Sequence, residues 1–267
     1  MIKLDRRVWF FLLGYISIII VAGLLLTDKV EWFYKTLIKQ FFFLAIIIPV
    51  FSSQKMLIGL KPNLRVSNIK FIVPLFLILM VYALWQSDFL NYAELDVLFI
   101  VFILMICFLQ TLIEELIFRG ILINNYLKNG QSIWRSVLYS SILFGAMHLI
   151  GLFGKTDPVS VINQVLIAIM IGIFLSGVFL SSKNIYVAGI IHMLINIPAY
   201  FRRTKVEIDD AQIEGLPLFE SELLDVLFSS LMLLIIYSPF LIAGLWLLSK
   251  FKFNFHQSHD YVQRDLP

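Results

Sequence analysis

Long apolar runs recur along the chain, separated by short charged stretches. They cover Val8–Leu26, Leu37–Phe51, Phe71–Trp85, Val97–Ile123, Ile133–Phe153, Val159–Leu180, Ile185–Phe201 and Leu223–Leu248. About 20 apolar residues suffice for a helix to cross a bilayer. Lipid offers no partner to backbone N–H and C=O groups, so a crossing segment satisfies them internally as a helix. The pattern therefore predicts an all-α, polytopic membrane helix bundle of about eight transmembrane helices, with residues 1–267 forming one membrane-embedded domain. The seventh run ends near Pro198, and the charged stretch Arg202–Glu222 reads as a solvated connector.

Basic residues set orientation, because Lys and Arg collect on the cytoplasmic side. With the N-terminus inside, the inner segments hold Lys3, Arg6, Arg7, Lys55, Lys61, Arg65, Lys70, Lys128, Arg135, Lys183, Lys250, Lys252 and Arg264. The outer segments hold only Lys29, Lys35, Lys39, Lys155, Arg202, Arg203 and Lys205, so an N-in, C-in topology is expected.

Composition agrees with the pattern. The chain is 60% hydrophobic and 15% charged, against roughly 45–50% and about 25% in soluble domains. Val8–Leu26 is long for a signal-peptide core and lacks a small-x-small cleavage site, so it reads as a retained span. A bacterial plasma membrane is the expected location, with the lipid bilayer as surroundings and no nucleic-acid partner. Cys107 is the one cysteine, which rules out an internal disulfide and suits a packing role. His256 and His259 lie in a polar tail and read as solvated.

The chemistry resides in polar groups that interrupt the apolar runs. The fourth run carries Gln110, Thr111, Glu114, Glu115 and Arg119. A charge at membrane depth costs at least about 2.5–3.5 kcal/mol, so such groups face protein or a wet cavity and mark function. Glu115 and Arg119 are four apart, acid first, the better orientation for a helical ion pair. Adjacent residues differ by about 100° around a helix, so Glu114 is left to face the bundle interior while Arg119 neutralises Glu115. The fifth run contributes His148, four residues after Phe144; the seventh contributes His192 and, four residues on, Asn196. A carboxylate with imidazoles and an amide suits water activation by a general base and N–H donation to an oxyanion. Gly145, Gly172 and Gly177 read as close helix contacts.

Three motifs thus stand in order: Glu114-Glu115-x-x-x-Arg119, Phe144-x-x-x-His148 and His192-x-x-x-Asn196. In this the chain resembles the CPBP intramembrane proteases, the glutamic, metalloprotease-like family that includes CAAX-processing endopeptidases and bacteriocin-processing and immunity proteins. The resemblance covers roughly residues 97–201, the expected catalytic core. It implies an intramembrane endopeptidase acting on a membrane-associated peptide or protein. Glu114 and His148 would activate water, and His192 and Asn196 would form the oxyanion hole. Glu115, Arg119 and Phe144 would give structural support.

The resemblance points to a mechanism without a metal. A zinc ion on Glu114, His148 and His192 remains the alternative cofactor reading, although there is no H-E-x-x-H and Asn196 is a poor zinc ligand. A non-catalytic regulator or bacteriocin immunity protein, acting through a membrane-bound partner, is the alternative function. A proton-relay transporter is a third, without an evident repeated half. With the spans centred as drawn, Glu114 falls toward the cytoplasm and His148 toward the outer side, an offset on the order of 10–15 Å. Helix tilt, shifted span ends or a break in a helix must close it.

Overall fold

The computed structural model describes residues 97–153, 158–209 and 223–250 continuously, together with 36–45 and a few residues at 13–14, 17, 34, 74 and 77–81. The first expected span lies almost wholly outside the described residues, and so does more than half of the third. Among those residues the chain is helical, without strands. We label the helices α1 (Thr36–Ala45), α2 (Val97–Lys128), α3 (Ile133–Leu152), α4 (Pro158–Ser182), α5 (Ile185–Asp209) and α6 (Leu223–Ser249).

Four of the described helical stretches are long and apolar enough to cross a membrane: α2, α3, α4 and residues 230–249 of α6. Their outward positions suit lipid, with Val97, Leu98, Trp134, Ile162, Phe228, Ile235 and Ile242 exposed. Polar side chains instead go inward, and Thr111, Glu115, Arg119, Ser140, Ser141, Ser176 and His192 are buried. This arrangement inverts that of a water-soluble domain, and it follows from the solvent.

The sequence-derived bounds need two corrections. The fourth run continues beyond Ile123 to Lys128, because Asn124 and Asn125 extend the helix. The seventh does not stop near Pro198: α5 runs through it to Asp209, so the first third of the expected connector is helical. Proline lacks the N–H that the Leu194 carbonyl would take, yet helices inside a bundle tolerate this where neighbours support them.

Two local departures from α geometry lie at the candidate motifs. Leu116–Ile123 of α2 is π-helical, a form that occurs mostly as single turns at functional sites. Side-chain donors serve its carbonyls: Ser140 Oγ donates to Phe118 O at 2.6 Å and Asn124 Nδ2 to Gly120 O at 2.6 Å. In α3 the helix tightens to 3-10 geometry at His148–Phe153. Ser132 opens α3, its hydroxyl accepting the Arg135 N–H.

Glycines let the helices approach closely. A Cβ on Gly145 would lie 2.5 Å from Ile169 Cγ1, and one on Gly172 would lie 3.0 Å from Ser141 Cβ, so α3 and α4 meet nearly backbone to backbone. Gly177 faces Gly244 of α6, where a Cβ would sit 2.6 Å from Phe174 Cα. The contacts expected for Gly145, Gly172 and Gly177 are present. Overpacking of this kind costs about 1–3 kcal/mol. Gly244→Ala is therefore expected to lower the thermal unfolding midpoint of the purified protein, while Gly14→Ala, with open space around it, leaves it unchanged or slightly raised. Equal midpoints for the two variants would contradict the packing described.

Candidate active site

Where α2 enters its π-helical turn, α3, α4 and α5 converge on it. Glu115 and Arg119 form the expected ion pair, with Nη1 2.8 Å from Oε1 and both side chains fully buried. Arg119 also donates from Nη2 to Gly172 O at 3.1 Å. Its guanidinium lies over the Phe144 ring, 4.7 Å from the centroid, the geometry of a cation–π contact. So the arginine ties α2 to α4 and α3 as well as neutralising its own helix neighbour.

Glu115 does more than balance Arg119. The same Oε1 lies 2.9 Å from Nδ1 of His192 on α5. A carboxylate oxygen only accepts, so Nδ1 carries the proton. On the far side of the ring, Nε2 lies 3.2 Å from Asn196 Nδ2 and 3.7 Å from Glu114 Oε2. With Asn196 donating, Nε2 is the acceptor of a neutral imidazole. Glu114 and Glu115 do point apart, as adjacent helical residues must, and His192 fits between them with one ring nitrogen toward each.

Glu114 is 15% exposed where Glu115 is fully buried. Its Oε1 accepts a 2.7 Å hydrogen bond from Gln110 Nε2, one turn earlier on α2. That leaves Oε2 as the oxygen toward His192. The Gln110 contact is legible in the same four-residue spacing that pairs Glu115 with Arg119, but an uncharged partner gives no warning of it.

Phe144 is the hub of the aromatic shell. Its ring stands edge-on to His148 at 5.3 Å, to His192 at 5.6 Å and to Phe118 at 5.1 Å. His148 Nδ1 lies 3.0 Å from Phe144 O; a carbonyl only accepts, so this nitrogen is the donor and Nε2 is left for the cavity. Glu114 and His148, expected at different depths, both line one cavity.

That cavity holds roughly 640 Å³, and Glu114, His148, His192, Asn196, Gln110 and Phe144 all line it. Glu115 and Arg119 lie behind His192. The cavity continues to a second polar region that sequence reasoning did not single out: Thr36, Lys39 and Gln40 on α1, and Ser160, Asn163 and Gln164 in the first turns of α4. Cys107 is buried, its thiol 3.8 Å from Met193 O. Among the described residues, no cluster of three or more His, Cys, Asp or Glu is arranged to hold a metal ion.

The described residues form a helical bundle with a carboxylate–imidazole cluster on the wall of a cavity, and four of its helical stretches are long and apolar enough to cross a membrane. Residues 96–198 match the family model for Rce1-like proteins, described as the type II CAAX prenyl endopeptidase Rce1-like family. That stretch is less than half of the chain and contains all three motifs, so the resemblance to the CPBP and CAAX proteases drawn from them is borne out. The apolar helices and this match together suggest an integral membrane protein, and the matched model describes a family of endopeptidases. No curated protein and no solved structure matches the chain.

Removing one partner of a buried ion pair leaves an uncompensated charge, at a cost of about 3–5 kcal/mol. Arg119→Ala is expected to lower the thermal unfolding midpoint of the detergent-purified protein sharply, whereas Glu114→Ala, at the cavity wall, shifts it little. The reverse order would show that Arg119 does not hold the fold together.

Proposed function

We propose that this protein is an intramembrane endopeptidase that cleaves a peptide bond of a membrane-associated peptide or protein by direct attack of water. The carrying observation is the juxtaposition of Glu114 Oε2, 3.7 Å from His192 Nε2, with Asn196 and His148 on the same cavity wall. Chemical order follows from which atoms are free. Glu114 Oε1 is occupied by Gln110, so Oε2 is the base that takes a proton from water. His148, with Nδ1 committed to Phe144 O, offers Nε2 as the acceptor that orients the same water.

The resting His192 tautomer has no Nε2–H to give an oxyanion. The proton taken by Glu114 passes to Nε2, and the ring then donates to the oxygen that becomes negative as water adds to the carbonyl. Asn196 Nδ2–H supplies the second donor. Collapse of the tetrahedral intermediate breaks the C–N bond, and the leaving amine takes the proton from His192. Glu115, anchored by Arg119, holds the ring by Nδ1 throughout. Every proton lost by water is accounted for, and no covalent enzyme intermediate or metal ion enters this reading.

Positioned general bases contribute about 10²–10⁴-fold, and single oxyanion donors about 10²–10³-fold. Comparing membrane peptides of cells carrying wild type, Glu114→Gln or Asn196→Ala is expected to reveal an uncut peptide in both variants, with turnover down by about those factors. An unchanged peptide profile in Glu114→Gln, with the protein present at normal level, would overturn the reading and favour a non-catalytic regulator.

A further inference from the structure

One face of α4 lines the cavity along its length: Ser160, Asn163, Gln164, Ile167, Ala168 and Ile171 follow the three- and four-residue steps of a single helical stripe. From Ile171 back to Ser160 the stripe is about 16 Å long, at about 1.5 Å per residue. Its character changes along the way. Ala168 and Ile171 are buried, as are Phe144 of α3 and His192 of α5, whereas Ser160 and Gln164 are exposed. The polar positions are those of the exposed end, and Thr36 and Lys39 of α1 line the cavity as well. The cavity thus runs from a buried floor to a polar rim at the start of α4. Polar and charged groups are expensive against acyl chains, so a rim of this composition faces water.

The rim can be placed within the bundle. Short turns join α2 to α3 and α4 to α5. α3 and α4 are antiparallel, since Gly172 meets Ser141 while Gly145 meets Ile169 and Val165. The end of α2, the start of α3, the end of α4 and the start of α5 therefore share one end of the bundle. α6 brings its C-terminus there too, with Phe240 against Phe174 and Leu247 against Gly177. Lys128, Arg135, Lys183 and Lys250 mark this end, and the sequence at 124–135, 180–186 and 247–250 contains no Asp or Glu. The rim lies at the opposite end. Lys and Arg collect on the cytoplasmic side, and the topology expected from the whole sequence puts these four residues there.

We propose that the cavity opens to the non-cytoplasmic side of the membrane, so that water and substrate enter over Ser160, Asn163 and Gln164. The substrate is then a peptide segment displayed on that side, and a cytosolic tail does not reach the site. Hydrolysis consumes water that lipid does not hold, and the polar rim supplies its path to Glu114. What is cut rests on the endopeptidase reading; where the cavity opens does not.

Cys107 is the one cysteine and is buried, so single-cysteine variants can be built on a Cys107→Ser background of the full chain. Gln164→Cys tests the rim, Ile167→Cys the cavity one turn deeper, and Lys128→Cys the basic end. Each is expressed in a bacterial plasma membrane and treated with a small, charged, membrane-impermeant thiosulfonate in right-side-out and in inverted vesicles. Gln164→Cys and Ile167→Cys are expected to be modified in right-side-out vesicles and to lose modification in inverted ones, with Lys128→Cys showing the reverse. Modification of Gln164→Cys only in inverted vesicles overturns the proposal, as does modification of Gln164→Cys and Lys128→Cys from the same side. An Ile167→Cys thiol that is inert from both sides, beside a reactive Gln164→Cys, also overturns it, because the rim would then be surface and not an entrance. Asn163→Cys takes the place of Gln164→Cys if that variant does not fold. An internally quenched, palmitoylated peptide added to the same vesicles separates the two readings. Cutting confined to right-side-out vesicles supports both, and cutting confined to inverted vesicles overturns the opening proposed. Correct labelling without cutting supports the opening and counts against the endopeptidase.

Discussion

A carboxylate with no water around it must find its donors in the protein, and Glu115 finds two on a single oxygen. Arg119 reaches it from one turn ahead on the same helix, and His192 reaches it from α5. The arginine in turn holds Gly172 O of α4 and covers the ring of Phe144 on α3. Four helices are thereby fastened at one charged point in an otherwise apolar interior. In a bilayer, hydrophobic burial does little to hold helices together, since lipid tails are as apolar as leucine, and packing and hydrogen bonds must do it instead. The network and the glycine contacts at Gly145, Gly172 and Gly244 supply both. Glu114, His148 and Asn196 are placed at the cavity wall as a consequence, without being needed for the assembly.

This division explains why two adjacent glutamates differ so much. Glu115 is fully buried and saturated on Oε1, and its chemistry is spent on orientation. Glu114 is partly open to the cavity, with one oxygen occupied by Gln110 and the other turned toward His192. The imidazole between them is held at Nδ1 by Glu115 and turns Nε2 toward Asn196 and Glu114. Phe144 keeps both imidazoles edge-on to one ring.

Much of this was legible before any coordinates, because membrane helices obey strong rules. The run Ile133–Phe153 coincides with the observed segment, and Val159–Leu180 and Leu223–Leu248 fall within two residues of α4 and α6. The Glu115–Arg119 pair followed from spacing alone. What escaped has a physical cause in each case. Pro198 read as a terminator, but bundle neighbours carry a helix through it. The π-helical turn at Leu116–Ile123 has no periodic signature, since it depends on Ser140 reaching across from α3. An uncharged group such as Gln40 costs less at membrane depth than a carboxylate and so attracts less notice. The link from Glu115 to His192 spans 77 positions, and no local pattern encodes it.

The central claim is that His192 stands between the two carboxylates with a proton on Nδ1 and an unprotonated Nε2 in the resting protein. Nitrogen-15 spectra of the imidazoles, in histidine-labelled protein held in lipid at neutral pH, report each ring nitrogen directly. Loss of a resonance in His192→Gln assigns the ring. The expected result is a protonated Nδ1 and a bare Nε2 for His192, with Nδ1 changing when Glu115 is replaced by Gln. A bare Nδ1 with the proton on Nε2, or a spectrum indifferent to Glu115, would contradict the arrangement on which the account stands.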